Sequence, residues 1–268
     1  MLPKRDWMEM TWREIAAADR SEWIAVVPLA AVEQHGPHLP LGTDAYIAQA
    51  YLDRVRALLP DDLPVTFLPV QAIGHSEEHL AFPGTLTLSG ETFVSLLKET
   101  GASLHRAGIR KIVFANSHGG NLPAMELAAR DLRVRLGMLA VTASWHRFGY
   151  PPGAFSEDEI RHGIHGGAIE TALMLAHGAE LVRTELRKDF GSAAEKMAAD
   201  YVQLSISRPA AFAWMTQDLN EEGALGNAKA ATPQLGEAAL QHGAKVFVEL
   251  LEEVRRFDLS HLKDEPAR

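Results

Sequence analysis

The stretch WIAVVPLAAVEQHGPHLPLGTDAYIAQAYLDRVRALL, residues 23 to 59, decides the fold. It opens with WIAVVPLA (23 to 30), a short apolar, β-branched-rich run without polar alternation, the pattern of a strand buried on both faces of a parallel sheet. It closes with DAYIAQAYLDRVRALL (44 to 59), which starts on Asp44, ends before Pro60 and reads as a helix. Between them EQHGPHLPLGTD (33 to 44) is a polar loop stiffened by Gly36, Pro37, Pro40 and Gly42. Strand, loop and helix in that order form half of a βαβ unit.

The same alternation continues outward. VTFLPV (65 to 70), KIVFAN (111 to 116) and MLAVTAS (138 to 144) repeat the buried-strand pattern, and helices are expected over 90 to 107 and 121 to 136. The second of these has Asn121 as its N-cap and Pro123 in its first turn, where proline is tolerated. Strand and helix thus alternate from residue 23 to about 178, which predicts an α/β fold with a mostly parallel central sheet between two helical layers. Pro28 and Pro69 each remove a ladder donor, so both are expected near strand ends. Beyond residue 178 come a polar helical stretch near 191 to 204, an irregular stretch over 205 to 232 containing Trp214 and Gly223, and a helix from about 235 to 257. With no linker and no internal repeat, residues 1 to 268 are expected to form one domain, with 205 to 232 as a covering or lid insertion.

Composition narrows the function. The 268 residues are 47% hydrophobic, enough for a packed core, and carry a formal charge of -9 with scattered basic residues, which gives no electrostatic reason to expect nucleic acid. Cysteine is absent, so disulfides, thiolate zinc sites and cysteine nucleophiles are excluded, and any metal must sit on His, Asp, Glu or water. The start MLPKRDWMEMTW has no apolar core of a signal peptide, and no run approaches the roughly 18 apolar residues of a membrane span. The expected location is the cytoplasm, with no membrane partner.

Of the twelve histidines, eight (35, 38, 75, 79, 118, 146, 162 and 165) fall in the predicted loops after strands, the edge at which open α/β sheets bind ligands. In E-Q-H, Glu33 and His35 are two apart and project to one side in extended backbone. Asp44 sits where a helix dipole keeps it ionised, and the turn can return it toward the pair. Carboxylate beside imidazole suits zinc, manganese or iron(II) better than calcium; the plainer alternative is a polar loop ending in an Asp N-cap. In NSHGGN (116 to 121), His118 follows a strand, and Gly119 and Gly120 let the backbone approach a ligand at a helix N-terminus, or simply make a tight βα turn. In HGGAIET (165 to 171), Glu170 lies on an otherwise apolar helix and needs a cationic partner, either an arginine or a metal.

Together these elements resemble the creatininase, or creatinine amidohydrolase, family. The resemblance runs through EQHGPHLPLGTD, GHSEEHLAFPGTLTL (74 to 88), NSHGGN, HGGAIET and GALGNAKAATPQLG (223 to 236). It implies a three-layer α/β/α domain, a site for two divalent metals and assembly as a homohexamer. Matched by position, Glu33, Asp44 and His118 look like the ligands of one metal, with Asp44 bridging to a second held by His35. Creatininase proper carries a glutamate two residues after the loop histidine, where this chain has Gly120; the missing carboxylate is then assigned to Glu170, as in HGGN-type relatives. That departure argues against creatinine–creatine interconversion, and HGGN-type relatives include formamide deformylases and peptide-trimming enzymes.

The reaction implied is hydrolysis of a C–N bond in a small cyclic amide or formamide. Two cations, zinc first with manganese or iron(II) as alternatives, would share a hydroxide and polarise the carbonyl. His165 is assigned as the acid/base serving the leaving nitrogen, against the alternative of a helix-start histidine bonded to backbone. Glu78, His79 and Asn121 are candidates to orient the ligands, and Ser76, Trp145, His146 and Trp214 to line or cover the pocket, although Trp145 suits a core or interface equally. Three rivals stand beside this reading: a non-catalytic subunit that keeps metal for stability, a serine hydrolase, for which no G-x-S-x-G exists, and a TIM-barrel amidohydrolase, whose opening H-x-H is here E-Q-H.

Overall fold

A computed structural model describes residues 2–207 and 209–264. Four apolar runs become parallel strands: β1 (Ile24–Leu29), β2 (Val65–Phe67), β3 (Lys111–Asn116) and β4 (Leu139–Ser144). Their order is β2-β1-β3-β4, with Ile24 paired to Val65 on one side and to Lys111 on the other, and Lys111 to Leu139. Parallel neighbours need a crossover connection, and the helices α1 (Thr43–Leu58), α2 (Gly90–Arg106) and α3 (Leu122–Leu136) supply it. Two further helices, α4 (Ala168–His177) and α5 (Pro233–Arg256), follow the sheet.

Strand parity divides the core in two. Ile24, Val26, Val65, Phe67 and Val113 face one side, where they pack with Tyr51 and Val55 of α1, Leu173 of α4 and Phe247 and Leu251 of α5. Ala25, Val27, Leu29, Ile112 and Phe114 face the other, against Phe93 and Leu97 of α2 and Met125 and Leu132 of α3. The result is the expected three-layer α/β/α arrangement. Local chemistry sets the helix ends: Ser89 caps α2 by accepting the Thr92 N–H at 3.3 Å, Thr232 caps α5 ahead of Pro233, and Gly137 closes α3 in the left-handed conformation at φ 62°.

One local expectation holds and one needs correction. Pro28 lies near the end of β1 as expected, second from its last residue. The strand tolerates it because β2 pairing stops two residues earlier, at Val26 with Phe67, and the Pro28 carbonyl is still used by the Gln71 N–H at 2.9 Å. Asn121 precedes α3, but its side chain caps nothing. Its Oδ1 accepts the His75 N–H at 2.9 Å, and its Nδ2 donates to the Ala30 carbonyl at 3.1 Å and to Asn116 Oδ1 at 3.0 Å. One amide therefore ties the loops after β1, β2 and β3 together.

The β1–β3 pair is where the strand order reverses, with β2 on one flank and β4 on the other. Crevices at such reversals, beyond the carboxyl ends of the strands, are where open α/β sheets hold ligands. The EQH loop follows β1 and the NSHGGN loop follows β3, so chain topology alone brings them to this crevice. Among the described residues, no helix is long and apolar enough to cross a membrane.

Candidate metal centre

Glu33, His35, Asp44 and His118 meet at the crevice, and each is at most 5% exposed. His35 Nε2 stands 3.8 Å from Glu33 Oε1, 3.6 Å from Asp44 Oδ1 and 3.7 Å from Glu170 Oε2. His118 Nδ1 lies 3.2 Å from Glu33 Oε2 and 3.5 Å from Asp44 Oδ2. Four separate segments thus converge: the loop after β1, the first turn of α1, the loop after β3 and α4. Asp44 follows the Gly42 cap into α1, and its backbone carbonyl accepts the Ser117 hydroxyl at 2.9 Å, which joins the start of that helix to the NSHGGN loop.

His79 and His165 complete the cluster. His79 Nε2 is 3.3 Å and His165 Nδ1 3.6 Å from Glu33 Oε1, and the His165 ring is sandwiched between those of His35 and His79, with centroids 4.1 and 4.2 Å away. Three sets of side chains offer ligand atoms within 4.8 Å of one another and could each hold a cation: Glu33, His35 and Asp44; His35, His165 and Glu170; and Glu33, His79 and His165. The buried atoms Glu33 Oε1, His35 Nε2 and Asp44 Oδ2 have no hydrogen-bond partner. Such atoms are costly to bury unsatisfied, and the three residues that carry them form one of the candidate ligand sets.

Electrostatics follow from crowding carboxylates and imidazoles in a dry site. Burial opposes the charge on His35, yet Asp44, Glu170 and Glu33 hold its pKa up at about 10. Burial likewise opposes the charge on His118, and Glu33, Asp44 and Glu78 hold it at about 10. Burial raises Glu170 to about 7, with Asp44 and Glu33 adding to the rise and His35 opposing it. His79 is pushed down to about 4 by burial and by the neighbouring His35 and His118, so it is neutral at pH 7. His165 is held well below the ordinary histidine range by burial and by His35 and His79.

Around these groups lies a ring of side chains that orient them. Ser76 donates to Glu33 Oε2. His118 Nε2 meets the His75 carbonyl at 2.9 Å and Glu78 Oε1 at 3.5 Å, which fixes the ring with Nδ1 toward the cluster. Gly120 makes room for this: a Cβ there would overlap Glu78 Oε1 and sit 2.5 Å from His118 Nε2, whereas Gly119 has no atom within 4 Å of that position. Glu78 therefore fills the space into which a side chain at 120 would project.

Sequence reasoning missed Gln34, Thr216 and Tyr150. Gln34 Nε2 donates to the Gly223 carbonyl and to His79 Nδ1, both at 2.8 Å, while its backbone carbonyl meets His165 Nε2 at 2.7 Å. Strand parity was a usable signal, because a residue between Glu33 and His35 must point away from them. Thr216 Oγ1, 2.9 Å from His79 Nδ1, comes from the covering stretch, where no periodicity announces it. Tyr150 lies close enough to Glu170 for that carboxylate to add to the upward push of burial on its hydroxyl.

Other expected residues are not brought to the cluster. Trp145 is 4% exposed and stacks on Tyr51 at 4.3 Å with Phe247 at 4.7 Å, a core position under α1 and α5 rather than a pocket wall. A large aromatic following a buried strand is drawn into the nearest apolar layer. His146 is exposed, and Trp214 donates its indole N–H to the Ile206 carbonyl, 2.9 Å away within its own segment. His38 is fully buried outside the cluster, with Nε2 2.9 Å from Thr171 Oγ1 and its ring stacked on Phe190.

Fold and cluster define an α/β/α protein with a buried carboxylate–imidazole centre, and comparison with known proteins identifies its family. The family model for creatininase, creatinine amidohydrolase, matches residues 8–251. A mycofactocin precursor peptide peptidase of Mycobacterium tuberculosis (strain CDC 1551 / Oshkosh) is 32% identical over 238 residues, covering 86% of this chain and 83% of its own. A creatinine amidohydrolase of Pseudomonas putida is 30% identical over 193 residues, 65% of this chain and 72% of its own. A crystal structure of creatinine amidohydrolase (creatininase) superposes with a TM-score of 0.74 at 25% identity, covering 96% of this chain and 100% of that one. Solved structures also include a point mutant of creatininase of Zn–Zn type (TM-score 0.73, 26% identity, 92% and 97% coverage) and a Mn creatininase (0.72, 26%, 93% and 98%). The chain belongs to the creatininase family and is a hydrolase acting on amide bonds.

Proposed function

We propose that this chain is a metal-dependent amidohydrolase, with one divalent cation held by Glu33, Asp44 and His118 and a second by Asp44, His35 and Glu170. The observation that carries this reading is the trio of buried ligand atoms without a hydrogen-bond partner, Glu33 Oε1, His35 Nε2 and Asp44 Oδ2, which a cation would satisfy. The all-oxygen-and-nitrogen donor set fits zinc, manganese or iron(II), and relatives in zinc and manganese forms support the first two. Bound there, the cations supply Lewis-acid polarisation of an amide carbonyl and lower the pKa of the attacking water.

The chain's own side chains then have defined tasks. Ser76 and His118 fix the Glu33 carboxylate, and Glu78 with the His75 carbonyl fixes His118. Gln34 directs a hydrogen-bond donor at His79 Nδ1, which leaves the His79 proton on Nε2, facing Glu33. His165 spends its Nε2 proton on the Gln34 carbonyl, so Nδ1 is its free atom, and we assign to it the proton transfer to the leaving nitrogen.

The substrate in this reading is a small amide or formamide. A short peptide is a second reading, favoured by the 32% identity to peptide-cleaving relatives and by Gly120, which departs from the creatininase pattern. Metal-reconstituted enzyme assayed on lactams, formamides and short peptides tests both. Glu170→Gln should abolish hydrolysis of whichever class is turned over, and full turnover by chelated protein would refute the metal reading.

A further inference from the structure

Glu159 is a buried carboxylate outside the cluster, 6% exposed, and the groups that act on it most strongly are backbone N–H groups and Asp189, none of them cationic. A lone buried carboxylate is costly, so something must offset it. Backbone does so here. Oε1 accepts the Ala168 N–H at 2.5 Å, Oε2 accepts the Asn227 N–H at 2.9 Å, and the Ile169 N–H also bonds to it. Ala168 and Ile169 open α4, so the carboxylate satisfies N–H groups that the helix leaves free and lies at the positive end of its dipole.

The fit is built from glycine. A Cβ at Gly163 or at Gly167 would overlap the Glu159 carboxyl group, and one at Gly226 would stand 2.8 Å from both of its oxygens. Two segments, 163–167 and 223–227, thus give up side chains to let backbone close around one carboxylate. Both lead to the centre. On one, Gly167 and Ala168 continue the turn whose Gly166 N–H donates to Glu170 Oε2 at 2.6 Å, and Glu170 faces His35. On the other, residues 223 to 227 bond that same turn through the Leu225 N–H, 2.6 Å from the His165 carbonyl, and reach Gln34 through the Gly223 carbonyl.

We propose that Glu159 is a positioning residue for the second cation: it clamps the 165–168 turn against the 223–227 segment, so that Glu170 is presented to His35. It touches neither cluster nor substrate. Glu33, Asp44 and His118 are held by other partners, chiefly Ser76, Ser117 and Glu78, so the clamp serves one cation and not the other. This rests on the two-cation reading above.

The test is site-selective zinc binding. Metal-free wild type, Glu159→Gln and Gly163→Ala are titrated with Zn²⁺ by calorimetry, zinc per chain is counted, and near-UV circular dichroism reports the fold. The amide introduced by Glu159→Gln would turn an N–H donor toward backbone N–H groups, and an alanine methyl at 163 would displace the carboxyl group with Glu159 intact. Wild type should bind two zinc ions. Each variant, folded, should keep one within about twofold and weaken the other by about 10- to 100-fold, the range for losing an orienting partner of a ligand. Equal weakening of both sites, no weakening of either, or failure of both variants to fold would overturn the role of Glu159. A wild type without two-site binding refutes the two-cation reading instead, and that arm is read before either variant.

Discussion

Adjacent glycines in the NSHGGN loop should respond in opposite ways to the same methyl group. At Gly120 an alanine Cβ would stand 2.5 Å from His118 Nε2 and 2.6 Å from the His75 carbonyl oxygen, and would overlap Glu78 Oε1. Glu78 is partly exposed and can swing aside. The His75 carbonyl is backbone, and His118 is pinned by Glu33 at 3.2 Å, so one of these must retreat by most of an ångström. Overpacking of this kind costs about 1–3 kcal/mol. The entropy that alanine removes from the unfolded chain offsets about 0.4–1 kcal/mol, which leaves Gly120→Ala about 1–2 kcal/mol less stable. Displacing His118 by that distance should also lower kcat/KM by about 100-fold. At Gly119 there is no atom within 4 Å and φ is not positive, so only the entropy term remains. Gly119→Ala should match or exceed wild-type stability by about 0.4–1 kcal/mol. Urea unfolding of the two metal-free variants, with zinc content of the loaded forms, decides it. A Gly120→Ala chain as stable as Gly119→Ala, with undiminished zinc, would refute the packing account of His118.

Three further outcomes follow from the same geometry. In the metal-free protein His35 and His118 have folded pKa values of about 10 against an ordinary 6.5, so the stability they contribute is full below pH 6.5 and is lost as pH rises toward 10. Thermal midpoints of chelated protein should fall across that window and those of loaded protein should not. Zinc must displace the same protons, so calorimetry at pH 7.5 in buffers of different ionisation enthalpy should show release of on the order of two protons per chain, and none if the histidines lie outside the site. Trp145→Ala should cost about 3–5 kcal/mol of stability while kcat/KM per folded molecule changes little; the reverse pattern would return Trp145 to the pocket.

The layers were legible because buried parallel strands and amphipathic helices carry different periods, and the four apolar runs appear as β1 to β4 within two or three residues. The convergence of Glu33, His35, Asp44, His118 and Glu170 was legible only through motif resemblance, since no spacing rule says that α4 returns to the loop after β1. Asn121 shows the limit of local rules: before a helix its amide reads as a cap, yet loops at residues 30 and 75 offer it better partners. Trp145 shows another, because a tryptophan at the end of a strand looks alike in sequence whether it faces a pocket or Tyr51. Glu159 was invisible for a third reason: its partners are backbone N–H groups and missing side chains, and neither leaves a charge pattern to read.

In the proposed function Glu33, His35, Asp44, His118 and Glu170 hold two catalytic cations. The most direct measurement is metal per chain against amide hydrolysis, taken on chelated enzyme during stepwise return of zinc or manganese. The account predicts no turnover in the chelated protein, recovery that completes as the second equivalent binds, and no recovery in Glu170→Gln at any metal level. Turnover that persists in fully chelated protein, or that is complete in Glu170→Gln, would contradict it.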